Sequence, residues 1–461
     1  MATLQNIPAE LLVMIVNYIG DIVALRSLCL VSKNFSIIAQ HFLYRDLFHQ
    51  CSHQSNCSLR ELFLLTRTIV SSPRLAAHIR CISLDIAEDG ELGGYSKSIT
   101  KLRFAGPFFD SYEHRDVSYS SPIRVSLVTD REERPSNVTT LTSLLFSHTP
   151  NLENLTAAIS CRGLGQLDHR SYLLLGGLTD LNLTSSGAEQ MRSVKVSLTD
   201  IAPLLLLPRL DKIKIDHCRG YSQAGTSYLT PAYAPIGAFA FSEISFRYSC
   251  VDAYSIHTLI AACKSLKVFR YRFCASPVNQ FNPSELSLAL GAHRDSLEQL
   301  EVSFYGNMED EDYARIWTGA AYGPFAAFES LNSLNVDQAF LDFLPDLPKS
   351  IKRFALQNCY ASVYQTMSHI ARQVNEGGIP LLDQIYLSTD VLAPGKMLDL
   401  PSRGATDILF EKSCDTLQCL FAGTAVCIEF ENNLLSHVTD DYSFAFELDR
   451  SGLFWPFIYL K

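Results

Sequence analysis

Residues 210–218 read LDKIKIDHC, and this short stretch sets the architecture of most of the chain. Leu210, Ile213 and Ile215 are apolar, while Lys212, Lys214 and Asp216 are polar. That is the alternation of a strand that buries one face. The same pattern, apolar-x-x-apolar-x-apolar, stands upstream at Ile79/Ile82/Leu84, Leu152/Leu155/Ala157 and Leu178/Leu181/Leu183. Downstream it recurs at Phe241/Ile244/Phe246, Leu266/Phe269/Tyr271, Leu297/Leu300/Val302 and Leu331/Leu334/Val336. The last copies are Ile351/Phe354/Leu356, Leu382/Ile385/Leu387 and Leu417/Leu420/Ala422. From Leu152 onward successive copies start 20 to 35 residues apart. Helix-like stretches precede many of them, at 138–147, 199–207, 253–263, 283–293 and 363–374. Asp252 and the Asn282-Pro283 pair, with Glu285 in the first turn, are suitable helix starts. A unit of strand, loop and helix cannot bury its own apolar face, so neighbours must stack and the strands must form a parallel sheet. The expected class is α/β.

This regularity resembles a degenerate leucine-rich repeat. Cys218, Cys274 and Cys359 each stand three residues after the last apolar position of a strand, the Asn/Cys position of that family's pattern. A small, weakly polar side chain suits a site that turns inward as the chain leaves the sheet. The resemblance implies a horseshoe-like solenoid over 78–423, with its parallel strands lining an open, concave face. Two segments depart from the pattern. Residues 87–137 read as an insertion, with Ile99/Leu102/Phe104 as a possible further strand. Residues 424–461, rich in Phe and Tyr, read either as a C-terminal cap on the last repeat or as a segment folded back onto the binding face.

The N-terminal stretch 6–48, NIPAELLVMIVNYIGDIVALRSLCLVSKNFSIIAQHFLYRDLF, is organised differently. Asn6 is a candidate cap, with Pro8 in a first helical turn. Leu11, Leu12, Ile15, Val16 and Ile19 then fall at helical spacing. Gly20 can close this helix. Asp21 can cap a second helix lined by Ile22, Leu25 and Leu28, and Ser32 a third carrying Phe35, Ile38, Ala39, Phe42 and Leu43. Some forty residues cannot enclose that much apolar surface, so the rest of the chain or a partner must cover the surplus.

Ile7-Pro8-Ala9-Glu10-Leu11-Leu12, Ile15, Asp21-Ile22, Leu25, Leu28 and Val31-Ser32-Lys33-Asn34-Phe35 resemble the F-box motif. Ile7 replaces its usual first Leu, and Phe35 its commoner Trp. The resemblance implies docking on a Skp-type adaptor, and through it on the cullin scaffold of a ubiquitin ligase. Carried over position by position, it places Pro8, Leu11, Ile15, Leu28, Val31 and Phe35 at an apolar contact, with Glu10 and Ser32 at its rim. The expected organisation is a three-helix F-box over 1–48, a helical linker over 49–77, the repeats over 78–423 and the cap over 424–461. The reading of another class is a non-ligase repeat scaffold whose F-box-like helices only cap the solenoid, burying their faces against residues 59–84.

Composition limits what the repeats can bind. The chain has 461 residues, a net charge of −10 and a pI near 5.7, which argues against nucleic acid as a partner. Its start lacks a secretory signal, and the apolar runs Leu11–Val16 and Leu204–Leu207 are too short to span a bilayer. No membrane partner is expected. The thirteen cysteines are odd in number and scattered, as for reduced thiols in the cytoplasm or nucleus. On that reading the acceptor sites at Asn137 and Asn154 stay unmodified. His49, Cys51, His53 and Cys57 lack the spacing of a zinc finger, so no metal is expected. No nucleophile elbow, zincin motif or phosphate loop is present, and Gly163-Leu164-Gly165 lacks the third glycine of a dinucleotide turn. The expectation is a binding protein with no enzyme activity and no cofactor.

Strand alternation sends Lys212, Lys214, Asp216, Glu243, Ser245 and Arg247 to the open face. It does the same for Arg270, Arg272, Gln299, Glu301, Ser303, Asn335, Asp337, Arg353, Gln384, Tyr386 and Ser388. With strands about 4.8 Å apart, Lys214, Arg247, Arg270 and Arg272 form a basic patch suited to an acidic or phosphorylated target, with Glu301 and Tyr386 alongside. The competing expectation is a solvated face on which Asp216, Glu243 and Glu301 neutralise those cations.

Overall fold

The computed structural model describes residues 7–50, 58–85, 137–158, 175–184, 196–220, 235–274, 283–305, 325–341, 344–357, 359, 363–389 and 414–432. The insertion expected at 87–137, apart from its last residue, lies outside these residues. So do Cys51–Cys57, Asn6 and the segment after 432.

Three helices come first: α1 (Ala9–Asn17), α2 (Ile22–Val31) and α3 (Lys33–Leu43). Strand β1 (Asp46–Gln50) follows, then α4 (Ser58–Ser71) and the single turn α5 (Pro73–Ala76). The remaining strands of the first half are β2 (Cys81–Asp85), β3 (Asn154–Ala158), β4 (Asp180–Thr184), β5 (Val196–Ser197), β6 (Lys212–Asp216), β7 (Cys218–Arg219) and β8 (Glu243–Ser249). Those of the second half are β9 (Val268–Cys274), β10 (Gln299–Tyr305), β11 (Ser333–Asp337), β12 (Arg353–Gln357), β13 (Gln384–Thr389) and β14 (Cys427–Asn432). Helices at Asn137–Ser147, Leu198–Leu205, Ala253–Ala262, Pro283–Leu290 and Val363–Asn375 alternate with them.

Twelve strands make one parallel sheet whose order follows the chain, and β5 and β7 form a separate two-stranded ribbon. The chain divides into two compact units. One runs to Val251 and includes Ala262–Lys264; the other comprises Asp252–Ala261 and the chain from Ser265 onward.

In both units the strand pattern read from the sequence is the core. Ile213 and Ile215, Ile244 and Phe246, Phe269 and Tyr271, Leu300 and Val302, and Phe354 and Leu356 are all buried. So is the leading apolar residue of every copy from Ile79 to Leu417. Such continuous burial suits parallel strands covered by their crossovers. A second device repeats with the same period. The carbonyl just before most of the strands accepts two N–H groups from the next copy: Arg80 O from Glu153 and Asn154, Glu153 O from Thr179 and Asp180, Thr179 O from Asp211 and Lys212. In the second unit Lys267 O, Glu298 O, Asn332 O and Lys352 O do the same. Cys218 and Cys359 are buried, and the Cys359 thiol donates to Leu356 O at 3.4 Å.

Two expectations change. The sheet begins at β1 and not near residue 78, because Asp46–Gln50 pairs along β2 with Leu47 opposite Ile82 and His49 opposite Leu84. A histidine stands where the pattern demands an apolar residue, which hides the strand. At the other end Leu417 and Leu420 lie in a helical turn and Ala422 is exposed, so the last strand is β14 and not 417–422.

Candidate protein-binding surfaces

Each N-terminal helix is set by the local chemistry of its first turn. Pro8, whose fixed φ of −52° suits a helix start, immediately precedes α1, and Glu10 sits in the first turn where the helix dipole favours an acid. The Asp21 carboxylate accepts from the N–H of Val23 at 3.0 Å and of Ala24 at 3.1 Å, capping α2. Ser32 Oγ accepts from Phe35 N at 3.3 Å and caps α3. Replacing Asp21 with alanine should leave both donors without this acceptor and cost about 1 kcal/mol. A urea titration that leaves the midpoint of the Asp21→Ala chain unshifted would show that water serves as well.

The helices pack on one another through Val16, Leu25 and Ala39, with Ile19, Leu28, Cys29, Ile38, Phe42 and Leu43 against them. This uses one side of each helix. On α1, Leu12 and Val16 turn inward, whereas Leu11 is 50% exposed and Ile15 48%, and Tyr18, just past its end, is 86% exposed. On α2, Ile22, Val23, Leu30 and Val31 are exposed. A run as apolar as LLVMIV is hydrophobic all round, and such a helix must show one side to water or to something else.

Of the residues assigned to the adaptor contact, Pro8, Glu10, Leu11, Ile15 and Val31 are exposed. Leu28 is half-buried within the helical cluster, and Ser32 is the half-buried cap. Phe35, at 6% exposure, is an interior residue of the helical module and is not displayed on that face. Its position one turn before Ala39 puts it on the inward stripe of α3. Met14, Tyr18, Val23 and Leu30 are displayed as well. The signal for them was the lack of any polar stripe on α1 and α2.

The comparisons with known proteins add nothing here: no family model matches the chain, and no curated protein matches it in sequence.

On the polar side of the sheet four strand cations, Lys212, Lys214, Arg270 and Arg272, have an acid within reach in their own unit. Lys212 Nζ lies 3.7 Å from Asp180, and Lys214 Nζ 4.0 Å from Glu243. In the second unit Glu301 sits between two arginines, bonded to Arg272 Nε and 3.8 Å from Arg270 Nε, while Arg270 also donates to Gln299 Oε1 at 2.8 Å. One carboxylate therefore serves both Arg270 and Arg272 and offsets one of their two charges. Tyr386 is half-buried, in register between Ala355 and Glu429. Ser245, Ser303, Asp337 and Ser388, expected on an open face, are buried. That polar side is not uniformly solvated.

Where α3 leads into the sheet, His41 Nδ1 and His78 Nδ1 are 3.0 Å apart and their rings meet edge to face. Such a contact needs one ring as donor and the other as acceptor, so at least one ring is neutral. Burial, then His78, Arg45 and Arg80, hold the pKa of His41 below the ordinary imidazole value. A depressed histidine pKa favours the folded chain while the ring is neutral. The contribution is complete above the unfolded value near 6.5 and is lost as the pH falls through the folded value. Urea midpoints should thus fall less on acidification for His41→Gln than for the parent chain. Equal slopes for both would remove this assignment.

Among the described residues no group of three or more His, Cys, Asp or Glu is placed to hold a metal ion, and no helix is long and apolar enough to cross a membrane.

Proposed function

We propose that this protein is the substrate-recognition subunit of a Skp-cullin-F-box type ubiquitin ligase. Residues 7–43 act as the F-box and dock on the adaptor, and the repeats form a leucine-rich-repeat solenoid that binds the target in the cytoplasm or nucleus. The observation that carries this reading is the pair of apolar sides on α1 and α2. One closes the helical module, and the other stands exposed at motif positions Leu11, Ile15 and Val31. Exposed apolar helix faces of this kind favour docking over a purely capping role.

A receptor of this type carries out no bond chemistry itself. It holds a target lysine near the charged conjugating enzyme, and the gain is one of proximity. Target contact is assigned to the polar side of the strands, where Lys214, Arg247, Arg270, Arg272, Glu301 and Tyr386 lie. The paired state of Arg270 and Arg272 makes them positioning elements more than free cations. The test is co-purification of a Skp-type adaptor with the full chain and with its Pro8→Ala/Leu11→Ala variant. Equal recovery of adaptor with both overturns the reading.

A further inference from the structure

The core of the helical module around Val16, Leu25 and Ala39 draws on α1, α2, α3 and Ile19 alone. Helix α3 ends at Leu43 and β1 begins at Asp46, so Tyr44 and Arg45 are the whole covalent link from module to sheet. Among the described residues 7–43, one side chain makes a hydrogen bond outside the module. That side chain is His41, whose Nδ1 lies 3.0 Å from His78 Nδ1. The two rings meet edge to face, with centroids 4.8 Å apart and planes at 88°. His78 stands just ahead of β2, beside the first joint of the sheet. There Arg80 N and Cys81 N both donate to Arg45 O, at 2.9 and 3.0 Å. The contact thus closes a circuit from α3 through Arg45 to the entry of β2 and back to α3.

The groups around this tie are of one sign. Besides its burial, His41 feels His78, Arg45 and Arg80, and no charge from α1 or α2 is among them. The two acids at hand are engaged, Asp46 accepting from Arg45 Nε at 3.1 Å and Glu153 from Arg80 at 2.8 Å. The neighbouring Phe42 ring already has Arg45 over its face, 5.7 Å from the centroid. A hydrogen bond between two Nδ1 atoms lasts only while one of them keeps its lone pair. With both rings protonated, two N–H donors face each other and two new charges join two arginines. Imidazole is the side chain that ordinarily changes charge between about pH 5 and 8. The low pKa of His41 sets the sign: the tie holds while the ring is neutral and is lost as the pH falls through the folded value.

We infer that the His41–His78 contact is an acid-sensitive latch, which fixes the helical module against the entry of β2 and releases it when both rings carry charge. Release leaves the Tyr44–Arg45 link as the pivot between module and sheet. The latch lies apart from the exposed apolar sides of α1 and α2. A partner docked on those sides therefore stays bound in acid while its position relative to the strands loosens. The inference does not rest on what that partner is.

The experiment follows amide hydrogen exchange of the full chain at about pH 7.5 and about pH 5.5, on either side of the ordinary imidazole value. Rates are corrected for the intrinsic effect of pH. The amides read are those of Arg80 and Cys81, whose bonds to Arg45 O lie beside the latch. In the parent chain their protection should fall at least about tenfold in acid, while the amides of Leu300 and Val302 in β10 keep theirs. In His41→Gln/His78→Gln neither position takes a charge, and the two conditions should give equal protection. His78→Gln alone, which leaves an acceptor for the His41 ring, should lose most of the fall. His41 is exposed and His78 half-buried, so both variants should fold. Unchanged protection in the parent, a fall of the parent's size in either variant, or an equal fall in β10 would each overturn the latch. No adaptor is present in the measurement, so failure of the receptor reading would leave its result standing.

Discussion

The Pro8→Ala/Leu11→Ala chain is expected to lose adaptor co-purification while keeping the far-ultraviolet circular dichroism of the parent. Pro8 stands just before the first helical residue, and Leu11 faces outward from the first turn at half exposure. Neither belongs to the cluster of Val16, Leu25 and Ala39, so the module should close as before. In a docked complex both side chains become buried. Truncating two central apolar anchors of an interface costs about 3 kcal/mol together, roughly a hundredfold in Kd. The loss should be far larger than for Asp21→Ala, which weakens a helix cap but removes no apolar contact. If both chains lose adaptor equally, helix stability and not the face is at work. If neither does, the face is not the docking surface.

Phe269→Ala carries the largest expected cost to stability. Phe269 is wholly buried in β9, paired in register with Leu300, and Tyr271 on the same side is buried as well. Close-packed parallel strands cannot collapse into the space vacated by a benzyl group without breaking register, so the cavity persists. The expected loss is about 4 kcal/mol, a fall in Tm of about 10 °C for a unit of this size. Leu288→Ala, at a position 77% exposed on Pro283–Leu290, should change stability by less than about 0.5 kcal/mol. Similar melting temperatures for Phe269→Ala and the parent would mean that the core is loosely packed where the strands meet.

The strands were the most legible part of the chain, for a physical reason. A parallel strand roofed by its crossover must be apolar at alternate positions, so Ile213, Ile244, Phe269 and Phe354 could be located by spacing alone. β1 was not legible because it lies at the edge of the sheet, where one side needs no partner and His49 can occupy a register position that inner strands fill with leucine. The stretch 417–422 misled for the opposite reason: Leu417 and Leu420 are also one helical turn apart.

The helix caps Asp21 and Ser32 were readable because capping depends on a few adjacent atoms. The division of α1 into an inner and an outer apolar side was not, since LLVMIV has no polar stripe to mark the boundary. Phe35 was placed at the contact by the resemblance alone, whereas its spacing with Ala39 on α3 puts it on the inward stripe. The pairing of Arg270 and Arg272 on Glu301 required knowing which residues of neighbouring strands share a rung. The positive φ of His217 and Tyr248 left no trace at all, because neither residue type announces it.

The single carbonyl that receives two N–H groups from the following copy has a consequence for how such a chain can evolve. Within each unit these joints are alike, except before β14, where Asp383 O receives Cys427 N alone, and they are made by backbone atoms whose chemistry does not depend on which residue occupies the position. Duplicating or excising one whole copy would therefore bring together two ends that already fit. Gene lengthening by unequal exchange would meet little resistance from the fold, and natural variants should differ in multiples of one complete period before they differ by fractions of it.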